Sequence, residues 1–208
     1  MEEIKTLKKL YKNLMPQIEK KLKEFKKNKN DEEIFAELCF CLLTPQSKAE
    51  ICWQSIEILK NQNLLFSGTE KQIIEKLKKV RFNKKKAKYI IQARKKFFQE
   101  NLKDYIKNTK DIDILRKFLI KNIKGFGMKE ASHFLRNIGL GDNIAILDRH
   151  ILKNLKIYNV IKEIPKSLSY KRYIEIEKKF IEFAKEIGIK PAELDLLLWA
   201  KETGFVFK

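Results

Sequence analysis

Lys121–His150, KNIKGFGMKEASHFLRNIGLGDNIAILDRH, reads as the end of a helix, a tight glycine turn, a second helix, a loop and the start of a third helix. Gly125 and Gly127 flank Phe126, where a positive φ or a close backbone approach is needed. After the turn Ala131, Phe134, Leu135 and Ile138 recur at i, i+3, i+4, i+7, an apolar face for a core. Lys129, Ser132, His133 and Arg136 share the same spacing on a second, polar face, which this pattern directs outward. Asp148 precedes Arg149-His150-Ile151-Leu152 at an N-cap position.

Gly125-Phe126-Gly127-Met128-Lys129 followed by Leu147-Asp148-Arg149-His150 resembles the helix–hairpin–helix DNA glycosylases. In that superfamily a lysine just after the hairpin and a spaced aspartate form the active site. Here Asp148 follows Lys129 by 19 residues (148 − 129), the separation of its lysine-bearing, bifunctional members. The resemblance implies catalytic roles for Lys129 and Asp148, and DNA-binding roles for Gly125, Gly127, His133 and Arg149. It also implies a phosphate held by backbone N–H groups of the turn and the helix start, and a monovalent cation on the hairpin carbonyls. Taken one at a time, Asp148 reads equally as a plain helix cap and Lys129 as a phosphate-binding lysine.

Composition agrees with a polyanionic partner. The 208 residues carry 46 Lys+Arg against 27 Asp+Glu, a formal charge of +19. The abundance of Lys, Glu and Ile, as in many thermophile proteins, contributes to that balance. Length allows one substantial core or two packed lobes. No run of about 18 apolar residues could span a membrane, and the charged, amphipathic start lacks a signal-peptide core, which points to an intracellular setting; the family resemblance implies a prokaryotic one. Cys39, Cys41 and Cys52 sit among apolar residues at spacings that fit no usual zinc site, so they read as buried thiols. No cysteine follows Cys52, so the four-cysteine iron–sulfur loop of the endonuclease III branch cannot be built.

Helical periodicity is nearly continuous, which predicts an all-α chain. Ile4 to Phe25 trace one apolar stripe, interrupted or kinked at Pro16. A cap near Asn30/Asp31 opens a helix over IFAELCFCLLT that is apolar on most sides and therefore central. LLTPQS follows. In related glycosylases a short polar loop at this place enters the duplex and fills the gap left by the extruded base, and Gln46 is the matching residue; otherwise it is an ordinary capping loop. Residues 69–100 form two helices separated by Val80-Arg81-Phe82-Asn83, with Lys84, Lys85, Lys86, Lys88, Arg94, Lys95 and Lys96 as a solvated face or as phosphate contacts. Near the end Gly188 stops a long amphipathic helix and Pro191 opens the last one.

PAELDLLLW and the aromatic ending Phe205-Val206-Phe207-Lys208 resemble the compact, archaeal-type 8-oxoguanine DNA glycosylases. That likeness implies base recognition by Trp199 and Lys208, which otherwise read as a core tryptophan and a frayed terminus. The expected architecture is two helical lobes with the active site in the cleft between them. Residues 31–147 make the central lobe, with the helix–hairpin–helix at about 113–139, and residues 1–30 plus 148–208 make the other. The expected function is base-excision repair of duplex DNA containing oxidised guanine, by a monomer that needs no cofactor. The alternatives are an endonuclease III-like enzyme for another oxidised base and a non-catalytic DNA-binding module.

Overall fold

Ten consecutive residues, Ile34–Leu43, are buried, so their helix meets side chains all round rather than along one stripe. The structure, a computed structural model, describes residues 2–208. Its helices are α1 (Glu2–Lys26), α2 (Asp31–Leu43), α3 (Ala49–Asn61), α4 (Leu64–Ser67), α5 (Glu70–Lys76) and α6 (Asn83–Gln99). They continue with α7 (Leu102–Asn108), α8 (Ile112–Asn122), α9 (Met128–Asn137), α10 (Arg149–Ile157), α11 (Tyr170–Ile187) and α12 (Pro191–Thr203). No strand occurs among the described residues.

The chain divides into two units. One is Asn28–Phe134; the other combines the residues up to Lys27 with Leu135–Lys208. The division runs through α9, so Leu135–Leu147 count with the termini rather than with the central lobe of the sequence reading.

In the Asn28–Phe134 unit, α2 is the axis. Asn30 caps it with a reciprocal box: its side chain accepts from Glu33 N at 2.9 Å, and Glu33 accepts from Asn30 N at 2.9 Å. Phe35 packs against Phe97 and Phe98 of α6 at ring-centroid distances of 5.3 and 5.2 Å. Full burial of Phe35 and Phe97 contributes roughly 1.5–3 kcal/mol each, whereas Phe98 stays partly in solvent. The short helices α4 and α7 escape sequence reading, since one or two turns carry no usable periodicity. Asn63 and Asn101 precede them in the left-handed conformation that asparagine tolerates.

In the other unit α1 packs on α12, with Tyr11 Oη donating to Glu193 Oε2 at 2.8 Å. Of the interruption or kink expected at Pro16, the interruption does not occur: α1 continues through it. Pro16 and Lys12, whose carbonyl loses its partner, are both exposed, so water replaces the missing bond. Gly188 (φ +71°) ends α11 where the sequence placed its stop, and Gly204 (φ +92°) ends α12 in the same left-handed way.

Candidate active site

The hairpin between α8 and α9 is closed by two backbone bonds, Ile123 N to Leu119 O (2.8 Å) and Phe126 N to Ile123 O (3.1 Å). Gly125 has φ +98°, and a Cβ there would lie 2.6 Å from the Tyr89 ring, so glycine is required on both counts. Gly127 serves differently: its N–H donates to Glu130 Oε2 at 3.1 Å, half of a capping box for α9. The other oxygen of Glu130 lies 3.0 Å from Lys129 Nζ, which also reaches Thr44 Oγ1 at 3.4 Å. Lys129 is therefore half-buried, one turn from the hairpin, and beside the loop that carries Gln46.

That loop is built from the orphaned carbonyls at the end of α2. Thr44 N donates to Phe40 O at 3.2 Å and Thr44 Oγ1 to Cys41 O at 3.0 Å. Leu43 O accepts from Cys52 Sγ at 3.2 Å and from Lys86 Nζ at 2.7 Å. Gln46 is exposed, with φ 56°. Lys86 was expected in a solvated or phosphate-binding face, but it is 4 % exposed. It lies on the same side of α6 as Ala87 and Ile90, and the carbonyls of the loop draw its ammonium inward. Burial pushes its pKa down to about 8, helped by Lys129 and Arg81 nearby and opposed by Cys52 and Glu130. Cys52 is itself buried, and burial pushes its thiol up to about 11. Across the turn, Phe82 is 51 % exposed with φ 59°, beneath the Arg81 guanidinium at 4.9 Å.

The polar side of α9 does not face outward as its periodicity suggested. Ser132 accepts from Arg116 Nη1 at 3.3 Å, and the His133 ring meets Phe40 edge-on at 5.4 Å. Arg136, 5 % exposed, donates to Asp195 Oδ2 at 2.7 Å and to Asn137 Oδ1, with its guanidinium 5.1 Å over the Phe25 ring. A helix face that is polar in sequence is thus buried: α8 and α2 supply the partners of Ser132 and His133, and α12 and α1 those of Arg136. Arg136, read as outward-facing from the helical spacing, is committed to Asp195.

Asp148 caps α10: its Oδ1 accepts from His150 N and Ile151 N, both at 2.8 Å. Both bonds fall on one oxygen, so Oδ2 is not committed to the cap. The approach to Asp148, Ile144–Leu147, is a buried segment outside any helix or strand, with one turn bond from Asp148 N to Ile146 O (2.6 Å). Side chains satisfy its backbone instead. Ala145 N donates to Glu177 Oε1 (2.8 Å), Ile146 N to Asp195 Oδ1 (3.0 Å) and Leu147 N to Tyr173 Oη (3.2 Å), while Tyr173 Oη donates to Ala145 O (2.7 Å). Burial pushes the Asp195 carboxyl up to about 6, against the pull of Arg136 and the Ile146 N–H. None of these three supporting side chains was singled out from sequence. Only the acidic and aromatic positions on otherwise apolar faces of α11 and α12 could have signalled them.

At the chain end Trp199 is half-buried, edge-on to Phe205 at 5.5 Å and near-parallel to Phe207 at 6.2 Å. The tail folds back on the tryptophan rather than fraying, and Lys208 is half-buried. Arg149 is exposed, its Nε 3.3 Å from His150 Nε2. Among the described residues no cluster of His, Cys, Asp and Glu could hold a metal ion, and no helix is long and apolar enough to cross a membrane.

The chain is similar over nearly its whole length to known proteins. The family model for 8-oxoguanine DNA glycosylase matches residues 18–189. An 8-oxoguanine DNA glycosylase/AP lyase of Fusobacterium nucleatum is 45% identical over 97% of this chain and 96% of its own. The 8-oxoguanine glycosylase/lyase of Methanocaldococcus jannaschii, solved in complex with a 15mer DNA containing 8-oxoguanine, superposes with a TM-score of 0.91 at 41% identity, covering 100% of both chains. The 8-oxoguanine DNA glycosylase of Thermotoga maritima gives a TM-score of 0.89 at 35% identity, covering 100% of this chain and 99% of that one. The chain belongs to the 8-oxoguanine DNA glycosylase family.

Proposed function

We propose that this protein excises 8-oxoguanine from duplex DNA and then cleaves the strand, with Lys129 as nucleophile and Asp148 as its anionic partner. The observation that carries this reading is full-length similarity to the Methanocaldococcus jannaschii enzyme bound to DNA containing 8-oxoguanine. Extruding the base costs on the order of a few kcal/mol. Gln46, exposed at the tip of its loop, is the residue to fill the gap. Trp199 and Lys208 recognise the extruded base. Gly125, Gly127 and the exposed Arg149 belong to the DNA-facing surface, whereas the buried His133 supports that surface from within.

Unprotonated Lys129 Nζ attacks C1′, and the glycosidic bond breaks with its electron pair leaving on the base, which takes up a proton. Ring opening gives a C1′=N Schiff base. Loss of a C2′ proton then expels the 3′ phosphate by β-elimination, and water hydrolyses the imine to regenerate the lysine. Asp148, held by two backbone N–H groups at a helix N-terminus, supplies negative charge opposite the developing sugar cation. On this reading the enzyme acts as a monomer in the cytoplasm, with a monovalent cation on the hairpin. The carbonyls of Ile123 and Gly127 each accept one intrachain bond, which leaves a second lone pair for such an ion.

The test is borohydride trapping on duplexes carrying 8-oxoguanine, thymine glycol, uracil or guanine, with Lys129→Gln alongside. An adduct confined to 8-oxoguanine and missing in the variant is expected. Trapping on thymine glycol instead would overturn the substrate assignment. Tight binding without base release on any duplex would reduce the protein to a DNA-binding module.

A further inference from the structure

Lys86 takes no part in the chemistry above, yet it is among the most buried charged groups in its unit. All three of its donors are used, and all on one loop. Nζ lies 2.7 Å from Leu43 O, 2.7 Å from Pro45 O and 3.1 Å from Ser47 Oγ. Ser47 Oγ also accepts from Arg81 N at 3.1 Å, so the turn before α6 is tied to the same knot. Between those anchors stands Gln46, exposed and left-handed, a conformation that a non-glycine residue keeps only when its surroundings impose it.

We propose that Lys86 is a positioning residue for base extrusion: it locks the 44–47 turn so that Gln46 projects from the surface in one fixed conformation. The inference rests on the reading of Gln46 as the residue that enters the duplex. Burying a lysine is unfavourable unless its charge is matched, and an apolar side chain would fill this space at no such cost. What an apolar side chain cannot do is hold two carbonyls and a hydroxyl at once. A guanidinium is also a poor substitute, because its planar fork does not match three acceptors converging on a point. Thr44, whose Oγ1 lies 3.4 Å from Lys129 Nζ, is held separately by the carbonyls of Phe40 and Cys41, so the nucleophile's neighbour does not depend on this ammonium.

The experiment compares single-turnover excision from an 8-oxoguanine duplex with borohydride trapping on a preformed abasic site, which needs little or no extrusion. The variants are Gln46→Ala, Lys86→Met, Ser47→Ala and the Gln46→Ala/Lys86→Met pair. Expected is an approximately 10-fold slower excision for Lys86→Met, a smaller loss for Ser47→Ala, and trapping within about 2-fold of the parent, since the lost contribution concerns unstacking alone. The double variant should be no slower than Gln46→Ala, because both changes remove one device. Equal losses on the two substrates, or additive losses in the pair, would overturn the proposal and leave Lys86 a packing residue. If Gln46→Ala excises at the parental rate, the reading of Gln46 itself fails, a result distinguishable from failure of Lys86 alone. Should Lys86→Met not fold, Ser47→Ala decides: parental excision by that variant counts against the proposal.

Discussion

The loop that carries Gln46 and the segment that leads to Asp148 solve opposite problems. The first follows the C-terminus of α2, where the unpaired backbone groups are carbonyls, and a cation, Lys86, gathers them. The second precedes the N-terminus of α10, where the unpaired groups are N–H donors, and Glu177, Asp195, Tyr173 and Asp148 accept from them. Each region takes the sign of charge that its orphaned backbone demands. The difference lies in compensation. Asp195 is answered by a second buried charge, Arg136 at 2.7 Å, whereas Lys86 is answered chiefly by neutral oxygens.

The contrast can be broken most sharply at Asp195. Asp195→Asn keeps an acceptor for Ile146 N but weakens the hold on the buried Arg136, so a loss of up to about 3–5 kcal/mol is expected in urea unfolding, largest at about pH 4. The same pair of proteins tests the sign of the titration. Because the folded pKa is raised to about 6, the native state holds the extra proton between the ordinary carboxyl range and that value. The contribution of Asp195 is thus complete below about pH 4 and falls away as pH rises through 6. The stability gap between parent and variant should shrink over that interval.

Asp148→Asn should cost at most about 1 kcal/mol in stability, because asparagine caps a helix nearly as well as aspartate. Excision should nevertheless fall by about 100-fold or more, since only the anion can answer charge developing on the sugar. A variant with parental excision would return Asp148 to the role of a simple cap.

The smallest stability effect belongs to Lys86, and its sign is opposite to that of Asp195. Its folded pKa lies near 8, below the ordinary lysine value of 10.5, so the unfolded chain binds more protons between those values. The contribution of Lys86 is full above 10.5 and is lost as pH falls through 8. Cys52, Lys129, Arg81 and Glu130 face it, so the measurement must be a difference between the parent and Lys86→Met. That difference should move in favour of the parent as pH rises from 8 to 10.5, with the variant unfolding at nearly the parental temperature at pH 7. A strongly destabilised Lys86→Met would mean that the loop depends on its cation for folding as much as the Asp148 segment depends on its acids.

Local sequence decided much of this molecule. The Asn30–Glu33 box, Pro191 at a helix start, the glycines after α11 and α12 and the glycine hairpin before Lys129 all act over a few residues, so their types suffice to place helix ends. The separation of Lys129 and Asp148 was legible for the same reason. What only the tertiary structure decided is which charged side chains are buried. Lys86 stood in a run of lysines, and Ser132, His133 and Arg136 lay on a polar helix face, yet all four are inside. The groups that receive them come from far along the chain: Leu43 O is 43 residues from Lys86, and Asp195 is 59 residues from Arg136. Periodicity reports which residues share a face, but whether a charge can leave water depends on the partner the fold brings to meet it.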